Sequence, residues 1–203
     1  KPMLERYQRV LFNYRKKNGQ PLSISGQHVR LTTIQGFFKW LCRNHYLTAN
    51  PASDLDLPKI GRRLPRAVLS AHEAEKIINC TDLSTPLGLR DRAILELLYA
   101  SGIRRKELSS LKLYDVDMER QTVLVREGKG NKDRLLPIGA RACAWLRKYI
   151  EDGRPELVIE PDERDLFISS SGIAMSPATL GNLVRNYVKQ SGIGKSGSCH
   201  LFR

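Results

Sequence analysis

The sequence predicts a mainly α-helical protein of two domains, the second of which carries one small antiparallel β-sheet. Apolar residues recur at helical spacing through most of the chain, and the period changes to that of short strands only between residues 113 and 138. Charge divides the chain as well, since residues 1–68 hold 13 Lys/Arg and 3 Asp/Glu, a net +10 of the total +13. A basic block joined to a nearly balanced one is typical of a polyanion-binding domain attached to a second domain. The simpler alternative is a solvated basic surface without a partner.

The first domain, residues 1–56, is predicted to contain two helices, over about 2–17 and 26–45. The apolar face of the second helix includes Leu31, Ile34 and Phe38. The opposite face is the candidate for reading the major groove of a DNA duplex, with a glycine that allows close approach. Its members are Thr32, Gly36, Lys39 and Arg43.

Residues 57–69 are predicted to be a basic linker. Two prolines and a glycine disfavour both a helix and a central strand in this segment. No acidic residue interrupts its four cations, which are therefore candidate contacts to a DNA backbone. They are Lys59, Arg62, Arg63 and Arg66.

The second domain, residues 70–203, begins with a capping box, Ser70-Ala-His-Glu73, which predicts a helix from about residue 71. Further helices are predicted over about 86–101, 104–112, 139–151 and 177–191. Three short strands are predicted around Val116, over 122–126 and over 134–138, and a further short strand over 166–168.

Four residues of this domain are candidates for phosphate chemistry, although each of them alone fits a structural role. Arg104 follows Gly102 and is expected near a helix start, where backbone N–H groups would also face an anion. Lys129 lies between two glycines at a predicted hairpin tip. The alternative is that Gly-Lys-Gly is an ordinary turn sequence in which the lysine has no catalytic role. His200 and Arg203 are three residues apart, which places them on one face of a helix. A buried core histidine is the alternative for His200.

Composition excludes several other classes of protein. The four cysteines are far apart and no carboxylate cluster has ligand spacing, so neither a metal site nor a disulfide framework is predicted. No signal peptide or long apolar run is apparent, and we expect a soluble, intracellular protein with no membrane partner.

In combination and in order, Gly102-Ile-Arg-Arg-Lys-Glu-Leu108, Gly-Lys129-Gly and His200-Leu-Phe-Arg203 resemble the motifs of the tyrosine recombinases, or phage integrases, and of their compact Xer-like members above all. The resemblance implies that Arg104 and Arg203 clamp the phosphate, Lys129 protonates the leaving 5′ oxygen and His200 assists. It also implies site-specific DNA recombination through a 3′-phosphotyrosyl intermediate, with no cofactor, by tetramers on paired sites of duplex DNA in the cytoplasm, associated with the nucleoid. Lys132 and Arg134, beside the lysine motif, are further candidate DNA contacts.

In that family the nucleophilic tyrosine follows the His-x-x-Arg motif, whereas all seven tyrosines of this chain precede it. We therefore expect a fragment that lacks the nucleophile, and one or two N-terminal helices, and that is a monomer or weak oligomer unable to cleave. Two alternatives stay open. One is a regulator that keeps the recombinase fold and binds specific duplex DNA without strand transfer. The other, an RNA-binding module, is weaker because no aromatic RNP-like motif or Gly-x-x-Gly clamp is present.

Overall fold

The computed structural model describes residues 2–61, 68–126 and 132–203, and these are mainly helical with one small sheet, which confirms the predicted fold class. The chain divides into two units, residues 1–64 and 65–203. The predicted linker spans this division, and its residues 62–67 lie outside the described residues.

The first unit contains helices α1 (Pro2–Asn13) and α2 (Ile24–Arg43). The prediction for α1 was four residues too long, because the chain turns back after Asn13. The Lys16 N–H donates to the Gln20 carbonyl at 2.9 Å, and Gly19 takes the left-handed φ of +74° that this turn requires. Ser23 precedes α2 and caps its start, because the Ser23 hydroxyl accepts the N–H of Gly26 at 3.1 Å.

A small leucine core holds the first unit together. The segment that follows α2 is fastened to the helices by side chains that donate to its backbone carbonyls. Gln35 Nε2 donates to the Leu55 carbonyl at 2.9 Å, and His28 Nδ1 lies 3.0 Å from the carbonyl of Pro58. The buried leucines are Leu11, Leu22, Leu31 and Leu55. This packing turns the apolar face of α2 inward and leaves its polar face exposed, as predicted.

The second unit is built around one buried helix, α4. Residues 88–98 of α4 are all buried, and the helix packs against α3 and α6. The predicted capping box starts α3, with the Glu73 N–H donating to Ser70 Oγ at 3.2 Å and the Ser70 N–H donating to Glu73 Oε2 at 2.7 Å. The helices of this unit are α3 (Ala71–Ile78), α4 (Pro86–Ser101), α5 (Arg105–Ser109), α6 (Gly139–Lys148) and α7 (Pro177–Gln190).

The sheet has three antiparallel strands in the order β1-β2-β3, at the positions predicted. Val123 and Val125 of β2 point into the core, and Val125 is paired with Arg134 at the start of β3. Residues 127–131, which join β2 to β3 and include Lys129, lie outside the described residues. The strands are β1 (Val116–Asp117), β2 (Thr122–Val125) and β3 (Arg134–Pro137).

Other predictions of local structure were wrong as well. Helix α5 ends at Ser109, where the prediction had a helix to residue 112. Residues 166–168 are buried but do not form a strand, because their backbone groups bond to three different partners rather than to one ladder. The Leu166 N–H donates to the Leu111 carbonyl, the Ile168 N–H donates to Tyr149 Oη, and the Phe167 carbonyl accepts from Met175. Helix α6 ends at Lys148 and continues as a π-helical turn through residues 149–153, where the prediction had α-helix to residue 151.

Candidate active site

Arg104 lies at the junction of α4 and α5. Gly102 ends α4 in the left-handed region at φ +56°, and Ile103 anchors the turn in the core. Arg104 then precedes α5 and is fastened to Glu107, since its N–H donates to Oε2 at 3.0 Å and its Nη1 donates to Oε1 at 2.9 Å. The N–H that we expected to face an anion is therefore occupied by Glu107. The Arg104 side chain is 37% exposed, and among the described residues its guanidinium donates to Glu107 alone.

Glu107 is shared between two arginines. Arg134 donates to the same carboxylate from the start of β3, with Nη2 at 2.6 Å from Oε2 and Nη1 at 3.1 Å from Oε1. Burial opposes the charge on this carboxylate, but the hydrogen bonds from Arg134 and Arg104 outweigh burial and lower the pKa of Glu107 to about 2. Arg134, predicted only as a DNA contact, thus also holds the β-sheet to the helix start that carries Arg104.

His200 lies on a 3₁₀ turn, Cys199–Phe202, and Arg203 directly follows this turn, where the prediction had an α-helix. Residues three apart are eclipsed in a 3₁₀ turn, so the two side chains still share one face. Cys199, Leu201 and Phe202 are buried and fix the turn to the core, whereas His200 is exposed. A methyl group at Gly102 would lie 3.5 Å from Cγ of Arg203, which shows how closely this turn approaches the end of α4.

These elements enclose one cleft of about 310 Å³. It brings together three of the four predicted phosphate-binding residues, Arg104, His200 and Arg203. Converging guanidinium groups in a partly enclosed cleft favour an anion with several oxygens, such as a phosphodiester. The cleft is lined by Ile103, Arg104, Arg105, Ser198, Cys199, His200 and Arg203.

Arg105 is a cationic residue of the cleft lining that was not among the predicted site residues. Its Nη1 packs against Gly181 of α7 so closely that a Cβ atom at Gly181 would lie 2.7 Å away. The sequence offered only its position beside Arg104 as a signal, because the contact joins α5 to a helix far along the chain.

The other predicted site residues are distributed as follows. On the first unit, Thr32, Gly36 and Lys39 line one shallow depression of about 340 Å³, and Arg43 is exposed at the end of the same helix. Lys59 and Lys132 are exposed. Lys129, Arg62, Arg63 and Arg66 lie outside the described residues.

No tyrosine lines the cleft, although all seven are among the described residues. Tyr149 is buried, its pKa is raised by burial to about 12, and its Oη accepts a backbone N–H. Tyr187 donates to Asp91 Oδ2 at 2.9 Å, and burial raises its pKa as well. The remaining five are exposed elsewhere on the surface.

Within residues 2–61, 68–126 and 132–203, no three His, Cys, Asp or Glu side chains are grouped so as to hold a metal ion. In that same part of the chain, every helix is too short or too polar to cross a membrane.

Residues 67–203 match the model of the phage integrase family. A tyrosine recombinase XerC 2 of Ralstonia nicotianae is 50% identical over 201 residues, which is 99% of this chain and 58% of that protein. A tyrosine recombinase XerD of the same organism is 40% identical over 174 residues, or 86% of this chain and 56% of that protein. The chain thus spans little more than half the length of these relatives.

Solved structures agree in fold. The match to a crystal structure of XerA recombinase covers 100% of this chain and 66% of that protein, at 28% sequence identity and a TM-score of 0.59. The match to XerH recombinase bound to its difH substrate after cleavage covers 99% of this chain and 56% of that protein, at 22% sequence identity and a TM-score of 0.73. Because the family model matches residues 67–203, more than half of the chain, the chain belongs to the phage integrase family, and tyrosine recombinases of the Xer type are among its relatives.

Proposed function

We propose that this chain carries the DNA-binding and phosphate-holding parts of a tyrosine recombinase that performs site-specific recombination. The observation that carries the proposal is the single cleft in which Arg104, His200 and Arg203 meet from distant parts of the sequence. The sequence relatives named tyrosine recombinases support it.

In this proposal the two arginines hold the non-bridging oxygens of the scissile phosphate. Negative charge grows on these oxygens when a nucleophile attacks, and paired N–H groups at fixed positions stabilise that charge. Glu107 contributes by fixing Arg104 before DNA arrives, so that less rotamer freedom is lost on binding. His200, exposed at the edge of the cleft, is placed to hydrogen-bond a phosphate oxygen or to move the proton of the nucleophile.

Lys129 is assigned from its motif, between β2 and β3, as the acid that protonates the leaving 5′ oxygen. The reaction stores the energy of the broken phosphodiester in a 3′-phosphotyrosyl bond, so strand transfer to a second 5′-hydroxyl consumes no ATP. Because no tyrosine of the chain lines the cleft, we propose that the nucleophile is none of the seven and that these 203 residues do not cleave DNA alone.

The partner is duplex DNA, and the whole protein acts as a tetramer on paired sites in the cytoplasm, where the nucleoid lies. By itself, the 203-residue chain is proposed to be a monomer or a weak oligomer. The exposed face of α2, the cations of residues 59–66 and Lys132 and Arg134 supply contacts to the duplex. The net +10 of residues 1–68 supports this assignment.

The test is duplex binding by the 203-residue chain at several salt concentrations. Neutralising about six phosphates gives a slope of log affinity against log salt of roughly −5. A slope near zero contradicts DNA binding. Tighter binding to single-stranded RNA than to duplex would favour an RNA-binding module instead.

A second candidate is a DNA-binding protein of the same fold without strand transfer, which the tyrosine-free cleft also fits. A nicked suicide duplex and a denaturing gel separate the two. The natural protein that contains this sequence should form a covalent adduct, and the 203-residue chain should not. An adduct with neither protein, while binding persists, supports the second candidate. An adduct with the 203-residue chain shows that one of its seven tyrosines is the nucleophile.

A further inference from the structure

The last part of the chain is free of negative side chains. No Asp or Glu occurs from Leu166 to Arg203, although this stretch contains two lysines, two arginines and a histidine. All the acidic residues of the second unit therefore precede α7 and the turn that carries His200. An uninterrupted positive stretch produces a field that attracts an anion, provided that the cations converge in space.

They converge in a second cleft, of about 490 Å³. His200 lines this cleft as well as the Arg104 cleft, so one imidazole separates the two. The second cleft is formed by one face of α7 and the loop before the 3₁₀ turn, and its lining residues are Arg185, Val188, Lys189, Lys195, Ser196, Gly197 and His200.

Two of its three cations are not neutralised by a carboxylate in the described part of the chain. Arg185 and Lys189 are exposed one helical turn apart on α7, where like charges repel each other. Among the residues that the structure describes, Arg185 Nη1 donates to the neutral amide oxygen of Asn182 alone, at 2.7 Å. An anion bound between the two side chains would relieve their repulsion.

Lys195, the third cation of this cleft, forms an ion pair within the protein. Its Nζ donates to Glu73 Oε2 at 2.6 Å and to the Val68 carbonyl at 2.7 Å. The hydrogen bond from Lys195 is the main cause that lowers the pKa of Glu73 to about 2. Lys195 is therefore already paired, and it fixes the wall of the cleft against the start of α3 while Arg185 and Lys189 remain available.

We infer that the cleft lined by Arg185 and Lys189 binds a backbone phosphate of DNA next to the phosphate held by Arg104 and Arg203. The inference rests on the proposed function, because the DNA strand that enters the first cleft supplies the ligand. Phosphates recur at every nucleotide of a strand, so a second anion site on the other side of His200 meets the neighbouring phosphodiester. Arg185 and Lys189 are positioning residues that hold the strand in register on both sides of His200.

The first experiment compares salt slopes on one duplex. The variant R185Q/K189Q removes both cations from the exposed face of α7, and K76Q/R147Q removes two exposed cations outside both clefts. We expect K76Q/R147Q to keep the slope of the unchanged chain. We expect R185Q/K189Q to make the slope less negative by about 1 and to weaken binding roughly tenfold for every DNA sequence alike. Equal melting temperatures of both variants establish that the fold is intact.

The second experiment locates the contact by acetylation of lysines with an N-hydroxysuccinimide ester, read by mass spectrometry. Duplex DNA should protect Lys189 while Lys76 stays reactive, and inorganic phosphate at the same phosphate concentration should protect neither. Equal slopes for both variants, or a Lys189 that reacts equally with and without duplex, overturn the inference while leaving DNA binding intact. Protection by inorganic phosphate but not by duplex also overturns it, since the site then takes a free anion. Absence of any duplex binding by the unchanged chain overturns the proposed function as well.

Discussion

At the scale of single residues, Glu107 decides the geometry of the candidate active site. It is 8% exposed and accepts hydrogen bonds from both Arg104 and Arg134, which are far apart in the sequence. We expect Glu107→Gln to lower the free energy of unfolding by about 2 kcal/mol at pH 7, because two guanidinium groups lose their charged partner. Urea unfolding measures the change. Glu119→Gln, at an exposed position, is the control and should change the free energy by less than about 0.5 kcal/mol.

The same carboxylate makes stability depend on pH. The folded pKa of Glu107 is about 2 against an ordinary 4.5, so its contribution is complete above pH 4.5 and is lost as the pH falls toward 2. We expect the difference between the unchanged chain and Glu107→Gln to shrink by about 1–2 kcal/mol over that window, after allowance for solvent screening. Urea unfolding at pH 7, 4 and 2.5 tests this, and a difference that does not vary with pH contradicts the assigned pKa.

At the scale of elements, the capping box of α3 is the start signal that the sequence showed most clearly. Ser70→Ala removes the oxygen that accepts the Glu73 N–H and should cost about 1 kcal/mol. Ser171→Ala removes an exposed hydroxyl that caps no helix and should cost little. The denaturation midpoints of the two variants measure the difference in stability. Equal midpoints would mean that packing alone determines the start of α3.

The exposed face of α2 is the element predicted to read DNA sequence. Removal of a base contact at Lys39 or Arg43 should cost about 1–3 kcal/mol and relax specificity at one position, whereas a phosphate contact should weaken all sequences alike. Arg30 is the matched control, because it is exposed on the same helix about half a turn around from Lys39. Competition binding with randomised duplexes distinguishes a base contact from a phosphate contact. If Arg30→Ala weakens binding more than Lys39→Ala and Arg43→Ala, the opposite face of α2 contacts DNA.

At the scale of the whole molecule, the two units have cores of very different size. Among the described residues, the core of the first unit contains four buried leucines, whereas the core of the second contains 27 buried residues. A unit below about 70 residues with so few buried side chains is marginally stable by itself. We expect it to unfold at lower urea concentration than the second unit. Each unit contains one tryptophan, Trp40 and Trp145, so fluorescence of Trp145→Phe reports the first unit and that of Trp40→Phe the second. Coincident midpoints in the two variants would show that the units unfold together.

The sequence by itself determined the fold class, the order of the main elements and three of the residues that meet in the cleft, Arg104, His200 and Arg203. These features depend on local patterns, namely helical and strand periods, a capping box, glycine stops and short motifs. Element ends were less predictable, as α1 and α6 show, because the turn at residues 14–21 and the π-helical turn after Lys148 follow from packing. The segment 166–168 was mistaken for a strand because its apolar composition indicates that it is buried but does not indicate which groups its backbone bonds to.

Only the tertiary structure decided which charges are paired and which are free. Arg104 and Arg134 share Glu107, Lys195 is paired with Glu73, and Arg105 lines the cleft beside Gly181. Each of these contacts except Arg104–Glu107 joins residues far apart in the chain, so no local pattern reveals it. Arg185 and Lys189 have no carboxylate partner among the described residues. Local periodicity specifies elements, whereas the chemistry of the site depends on long-range distances that only packing establishes.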